Sequence, residues 1–297
     1  MGDRFKKVAI LGRHGDPRIA EPMTALAAHL TKAGVTVLAA EDLGLDLQAT
    51  RLPESELAAA ADLVIAVGGD GTMLYAGNLT RDSGIPLLGV NRGRLGFLAD
   101  VTPDEMLTSV DRVLGGEYTT DSRLLLEAEL LHADGRIVHA TAFNDVVLQR
   151  RETGRMLDFE TSVAGQFVNT HSGDGLIIAT PTGSTAYALS CGGPIVEPQL
   201  DAVVVVPICP HALTDRPLVI AASQEIQIRL LEREDTQAEV AVDGHPLGAI
   251  RPDDTLTISA SPKRIRLIHP AGYDFYEILR SKLFWGRDSR TRDARPR

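Results

Sequence analysis

The sequence predicts an α/β domain with a parallel sheet, then a β-rich, sandwich-like domain, and a C-terminal helix that returns to the first domain. Three features carry that expectation. Up to residue 118, short apolar runs alternate with segments of helical periodicity; over residues 119–271 the runs are short, β-type and divided by turn residues; at 272–286 a helical stripe reappears. A helix that follows an all-β block is expected to pack back on the earlier domain. Residues 287–297 are rich in arginine and lack large apolar side chains, which marks a flexible, solvated tail.

In chain order, residues 7–12 are an apolar run closed by Gly12, a first strand. Residues 17–32 place Met23, Leu26, Ala27 and Leu30 on one helical face, and Gly34 is the stop signal. Residues 35–39 give a second strand and 54–61 an alanine-rich helix. A buried strand at 64–67 ends in the turn Gly68-Gly69-Asp70-Gly71-Thr72, with a helix from about Thr72 to Arg81 behind it. Residues 85–90 are the next strand and run into Asn91-Arg92-Gly93-Arg94-Leu95-Gly96-Phe97-Leu98. Met106, Leu107, Val110, Val113 and Leu114 mark an amphipathic helix ended by Gly115-Gly116. The β-rich half supplies runs at 124–131, 142–148, 159–163, 176–179, 203–207, 225–231, 239–242 and 255–258, with one short helix after Thr185. The final helix, 274–285, carries Phe275, Ile278, Leu279 and Leu283 on one stripe.

At 297 residues the chain has room for two domains and a substantial core. Its formal net charge of −10 argues against generic nucleic-acid binding, which needs a basic face. No apolar run approaches the roughly 20 residues that cross a bilayer. Met1-Gly2-Asp3-Arg4-Phe5-Lys6-Lys7 leads into a strand rather than a signal-peptide core. Cys191 and Cys209 form neither a disulfide framework nor a metal-ligand spacing. A reduced, cytoplasmic protein with no membrane partner is the expectation.

Three stretches carry candidate chemistry. In the first, Gly68, Gly69 and Gly71 let a large anion approach main-chain N–H groups, and the following helix adds the positive end of its dipole. A carboxylate in such a turn repels phosphate, so Asp70 makes more sense as a proton acceptor or metal partner; the alternative is a helix cap. The second runs from Gly173-Asp174-Gly175 through Thr180-Pro181-Thr182-Gly183-Ser184-Thr185-Ala186-Tyr187 to Pro194. Its hydroxyls and aromatic face suit a ribose, an amide or a base; the alternative is a tight turn with capping hydroxyls. The third is Phe143-Asn144-Asp145, either a turn or a side-chain pair that grips a carboxamide or a ribose diol. No Gly-Lys pair exists for a P-loop, and Leu74 and Ile178 stand where a dinucleotide fingerprint needs its third glycine.

Together, and in this order, these blocks resemble the NAD kinase family. Val206-Pro207-Ile208-Cys209-Pro210-His211 and Arg216-Pro217-Leu218 add to the likeness, which runs from about Lys7 to Trp285. The resemblance implies ATP-dependent phosphorylation of the adenosine-ribose 2′-hydroxyl of NAD, with a divalent cation such as Mg²⁺, in a homodimer or homotetramer. It implies that Asp70 is catalytic, that Gly71 lies at the substrate, and that Asn144 and Asp145 hold NAD. Asp174, Thr185, Ala186, Tyr187 and Ser190 match positions that line the dinucleotide, and Arg155 and His245 match further contacts. Ser172 departs from the pattern: many proteobacterial members have arginine there, which bears on the choice between NAD and NADH and on the phosphoryl donor. Two other functions share parts of the pattern, a kinase of a sugar phosphate or lipid built on the same turn, and a non-catalytic dinucleotide sensor. Asp70→Asn is expected to keep the fold and NAD binding and to lose turnover, measured as NADP formed.

Overall fold

The computed structural model describes residues 5–13, 17–93, 96–151, 156–232 and 237–285. It divides into one unit made of Met1–Asp121 with Leu267–Arg297, and a second made of Ser122–Arg266.

The first unit begins with β1 (Lys7–Gly12), α1 (Ala20–Lys32), β2 (Thr36–Ala40), β3 (Thr50–Leu52), α2 (Glu54–Ala60) and β4 (Leu63–Val67). It continues through α3 (Asp70–Thr80), β5 (Leu87–Val90) and α4 (Met106–Leu114). The strands lie side by side in the order β3-β2-β1-β4-β5, every pair parallel. All five residues of β4 are buried, as a parallel strand covered on both faces requires, which is why it reads as an unbroken apolar run. α1 buries Met23, Leu26, Ala27 and Leu30, and ends where Gly34 takes φ +79°. At the end of β1, a side chain on Gly12 would stand 2.6 Å from Ile19 and Met23, so glycine lets α1 lie against the strand. The chain steps from β1 to β2 in one direction and resumes at β4 in the other. The carboxyl ends of β1 and β4 therefore mark the point where such sheets bind ligands, and the Gly68-Gly69 turn lies there.

The second unit is antiparallel. It takes most of β6 (Tyr118–Leu131), then β7 (Ile137–Ala142), β8 (Asp145–Arg150), β9 (Leu157–Val163), β10 (Gln166–Gly173) and β11 (Gly175–Ala179). A single turn, α5 (Tyr187–Ser190), precedes β12 (Ala202–Ile208), β13 (Leu218–Ala221), β14 (Ile226–Leu230), β15 (Ala238–Val242), β16 (His245–Ile250) and β17 (Thr255–Pro270). One layer runs β10-β9-β14-β17, with β6 paired to β17 and β7; the other runs β13-β12-β11-β8-β15-β16. Their facing side chains, among them Leu126, Leu130, Phe159, Ile178, Val205, Ile228, Val240 and Ile258, form one buried cluster. β9 alternates buried and half-buried residues, whereas β11 is buried throughout. Its outer face is covered by Ala188 and Val196, which pack with Ile177, Val204 and Val206.

The last residues of β17 pair in parallel with β5, Leu267 beside Leu87, and α6 (Phe275–Leu283) belongs to the first unit as expected. Asp274 caps α6 by accepting the Tyr276 N–H at 2.8 Å, Ile278 and Leu279 are buried, and Phe284 ends the helix at φ +57°.

Some expectations shift. The helix placed at Thr72 starts at Asp70, because Gly69 accepts the N–H groups of Thr72 and Met73 and leaves Asp70 and Gly71 in the first turn. The run predicted at 142–148 is the end of β7, a bend at Phe143-Asn144, and β8. Phe159 fills the centre of the second unit's core, fully buried. Phe159→Ala is expected to cost about 3–5 kcal/mol in urea unfolding, while Val219→Ala on the exposed edge strand β13 stays within about 0.5 kcal/mol.

Candidate active site

In the first unit the site is built at the tip of β4. A side chain on Gly68 would come within 2.1 Å of Thr72 Oγ1, so the turn closes tightly onto α3. The N–H groups of Gly69, Asp70 and Gly71 donate to none of the described residues, and nothing lies within 4 Å of where a Gly71 side chain would begin. Three amides at the start of an eleven-residue helix make a concavity for an anion. The Arg92 guanidinium lies 3.7 Å from the position of a Gly69 Cβ, which adds a cation to the same turn.

Asp70 does not cap its own helix. Its Oδ2 accepts the Phe97 N–H at 3.0 Å; its Oδ1 accepts those of Leu98 at 3.0 Å and Ala99 at 3.4 Å. Gly96 is required beside it, since a Cβ there would sit 2.1 Å from Asp70 Oδ1. Buried Asn91 secures the other side of the loop: Nδ2 donates to Ala99 O at 3.3 Å and Oδ1 accepts from Gly93 N at 2.9 Å. A carboxylate offers about four lone-pair directions, so three amides leave one for a substrate hydroxyl.

In the second unit the Asn144-Asp145 pair and the hydroxyl-rich loop come together. Thr180 N donates to Asn144 O at 2.8 Å, Thr180 Oγ1 donates to Phe143 O at 2.7 Å, and Gly183 N donates back to Thr180 Oγ1 at 3.0 Å. Any side chain on Gly183 would collide with Asn144 O at 2.1 Å, so only glycine permits this approach. Thr185 Oγ1 donates to Thr182 O at 3.1 Å, while buried Arg123 donates to Thr182 Oγ1 at 3.4 Å. Ala186 follows, half-buried, with its N–H on Gly183 O.

Neither the Asn144 amide nor the Asp145 carboxylate bonds to any described side chain or backbone group, although Asp145 is only 6% exposed. Burial, and then the charge of Asp243, push the Asp145 carboxyl up to about 7. Asp243 is a residue that the sequence reading did not single out. It sits with Gly244 in the β15–β16 hairpin, both at positive φ, and its carboxylate accepts the N–H groups of Phe143, Asn144 and Asp145 at 2.8, 2.7 and 3.1 Å. Burial raises its own affinity for a proton, and those amides and His245 oppose the rise. His245, exposed, holds its Nδ1 3.1 Å from Asp243 O, so it joins this cluster. The signal was present in the sequence: Asp-Gly between two β-type runs is a hairpin turn.

Other expected residues lie elsewhere. Gly175 pairs across from Gln149 and Ala179 from Asp145, so Asp174 and Asp145 mark opposite ends of β11, about 17 Å apart along the strand. Asp174 pairs with Arg150 at 3.0 Å, and Ser172 donates to Asp158. The structure does not bring these two to Asn144-Asp145. Tyr187 and Ser190 are exposed on α5; burial first, then Cys191, raise the pKa of the Tyr187 hydroxyl, and Asp174 adds to the effect. Arg155, Arg94 and the arginine-rich tail lie outside the described residues. Among the described residues, no group of three or more His, Cys, Asp or Glu is placed to hold a metal ion. Cys191 and Cys209 are free thiols.

Two family models match the chain: the ATP-NAD kinase N-terminal domain over residues 8–118 and the ATP-NAD kinase C-terminal domain over residues 143–270. The chain is 44% identical to the NAD kinase of Nitrosococcus oceani over 290 residues, covering 97% of this chain and 99% of that one. It is 42% identical to the NAD kinase of Azotobacter vinelandii over 287 residues, covering 96% and 97%. Among solved structures, yeast NADH kinase complexed with NADH is similar at TM-score 0.87 and 25% identity, covering 96% of this chain and 89% of that one. An NAD kinase from Archaeoglobus fulgidus in complex with ATP shares the fold at TM-score 0.73 and 24% identity, covering 94% and 98%.

Asp145 carries its proton more tightly in the folded chain, at about 7, than at the ordinary carboxylate value of 3.8. The stability linked to it is complete below about pH 4 and is lost as pH rises through 7. Asp145→Asn is therefore expected to unfold at higher denaturant than the parent at pH 8, by roughly 2–4 kcal/mol, and to match it at pH 4. Asp70→Asn turns an NH₂ group toward amide donors, and is expected to cost about 1–3 kcal/mol in the same experiment while the chain stays folded.

Proposed function

The chain belongs to the NAD kinase family, and we propose that Asp70 takes the proton of the adenosine-ribose 2′-hydroxyl of NAD as that oxygen attacks the γ-phosphorus of ATP. The O2′–P bond forms, the bond from the γ-phosphorus to the β,γ-bridging oxygen breaks, and ADP and NADP leave. Free amides of Gly69, Asp70 and Gly71, the N-terminus of α3 and the Arg92 guanidinium offset the charge of the triphosphate. An aspartate is a weak base, so most of the acceleration in this reading comes from alignment and electrostatics. A divalent cation such as Mg²⁺ would be held chiefly by the triphosphate oxygens and would offset their charge. Mg²⁺ is suited to this, because it keeps waters and binds through phosphates and one or two carboxylates.

Asn144 and Asp145 hold NAD in this reading, with Thr185, Ala186 and His245 beside them. One observation carries it: a buried carboxylate and a neighbouring amide are left without partners among the described residues, at the rim of a loop fitted to them. A ribose diol donates to the first and a carboxamide pairs with the second. Ser172 and Asp174, toward the other end of β11 from that pair, remain proposed dinucleotide contacts, as do Arg155, Tyr187 and Ser190. The two free thiols support a reducing, cytoplasmic setting. Exposed Phe167, Leu218 and Val219 on the outer strands β10 and β13 support assembly as a homodimer or homotetramer.

Purified protein incubated with ATP, Mg²⁺ and NAD is expected to form NADP, detected with an NADP-specific dehydrogenase; NADH and polyphosphate in parallel define the acceptor and donor. No NADP from any combination would overturn the catalytic reading in favour of a sensor. A diol needs the ionised form of Asp145, so KM for NAD should fall roughly tenfold from pH 6 to pH 8, and this dependence should flatten in Asp145→Asn.

A further inference from the structure

We propose that Asp243 is the positioning residue of the dinucleotide site: its carboxylate fixes the Phe143–Asp145 backbone so that the Asn144 and Asp145 side chains face the ligand. This rests on the reading that those two residues hold NAD.

Three consecutive N–H groups converge on the one carboxylate, at 2.8, 2.7 and 3.1 Å. Asp243 N returns a bond to Asp145 O at 3.0 Å, which locks the hairpin to the start of β8. From the other side Thr180 takes the carbonyls of Phe143 and Asn144. With amides held on one face and carbonyls on the other, the peptide planes of this bend have no freedom to rotate. The Asn144 and Asp145 side chains are then the groups left to meet a ligand.

A neutral asparagine could also have closed such a turn. A carboxylate in that position accepts all three amides at once, but it sets a second negative charge beside Asp145. Among the described residues, the charged groups that act on this pair are Asp145, Asp243 and His245; the Thr180–Thr185 loop that packs against them contributes hydroxyls and no charge. Asp243 therefore has two effects on one neighbour. It aims the Asp145 side chain, and it helps to hold the proton on it until the pH approaches neutrality.

The test compares Asp243→Gly and Asp243→Asn with Asn144→Ala and Asp145→Asn, by steady-state kinetics in NAD and ATP from pH 5.5 to 8.5. Glycine suits the positive φ of residue 243 and removes the carboxylate without backbone strain; asparagine tolerates that φ and keeps one acceptor. Asp243→Gly is expected to raise KM for NAD about 10- to 100-fold, with kcat at saturation within about threefold and KM for ATP within about twofold. Asp243→Asn is expected to give a smaller rise, and to move the pH at which NAD affinity breaks down by about one unit, because the neighbouring negative charge is gone. Unchanged KM for NAD in both Asp243 variants, or an equal loss of kcat with an unmoved pH break, overturns the positioning role. If Asn144→Ala and Asp145→Asn leave KM for NAD unchanged, the site reading itself fails. If they raise it while the Asp243 variants do not, only the positioning role fails. Circular dichroism checks that each variant is folded, and Asp243→Asn decides the matter if Asp243→Gly is not.

Discussion

A carboxylate that collects three successive backbone N–H groups is the interaction that shapes one loop in each unit. Asp70 does this for Phe97, Leu98 and Ala99; Asp243 does it for Phe143, Asn144 and Asp145. Both segments are loops that must hold one shape without a ladder of strand or helix bonds. Hydrogen bonds to a charged acceptor are about twice as strong as neutral ones, so one side chain can do the work of a missing neighbour strand. Glycines make the approach possible, since a Cβ at Gly96 or Gly183 would fall 2.1 Å from an oxygen of the opposing group. Rigid loops of this kind suit phosphoryl transfer, in which alignment supplies much of the rate.

The electrostatics follow from the same economy of means. The chain is acidic overall, with a formal charge of −10, and Arg92 adds a cation at the Gly69 turn. Unused amides at the start of α3 give a local positive field that does not need a basic surface. On the second unit the polarity is reversed. Asp145 is buried beside another carboxylate, an arrangement that works against stability near neutral pH.

The sequence shows the central elements well and the edges badly. β1, β4, β5 and α1 were legible because burial on both faces, or on one helical stripe, leaves an apolar pattern. β7, β10, β13 and β16 were not, since much of each is exposed and their residues follow no alternation. The short edge strand β3 escaped for the same reason. In the site, Asp70 and the Asn144-Asp145 pair stood out by chemistry, yet Asp70's bonds to a loop some 27 residues away have no local signature. Asp243 looked like any turn residue, because its partners lie about 100 positions earlier. Asp174 and Asp145 belong to separate motifs, and only the register of β8 against β11 shows that they fall at opposite ends of one strand.

The pairing of Leu267 with Leu87 has a consequence for how the chain is made. Val101 soon bridges the end of β5, but its Leu87-Leu88 margin finds a companion only after roughly 180 further residues have been synthesised, a long closure whose entropic penalty grows slowly with length. Until then the nascent α/β sheet carries an unsatisfied border of amides and carbonyls, the feature that invites intermolecular strand pairing on the ribosome. The intervening residues 122–266 form a compact unit with their own core, able to collapse while that border waits. Completion of the first unit thus follows synthesis of the second, though its strands emerge first.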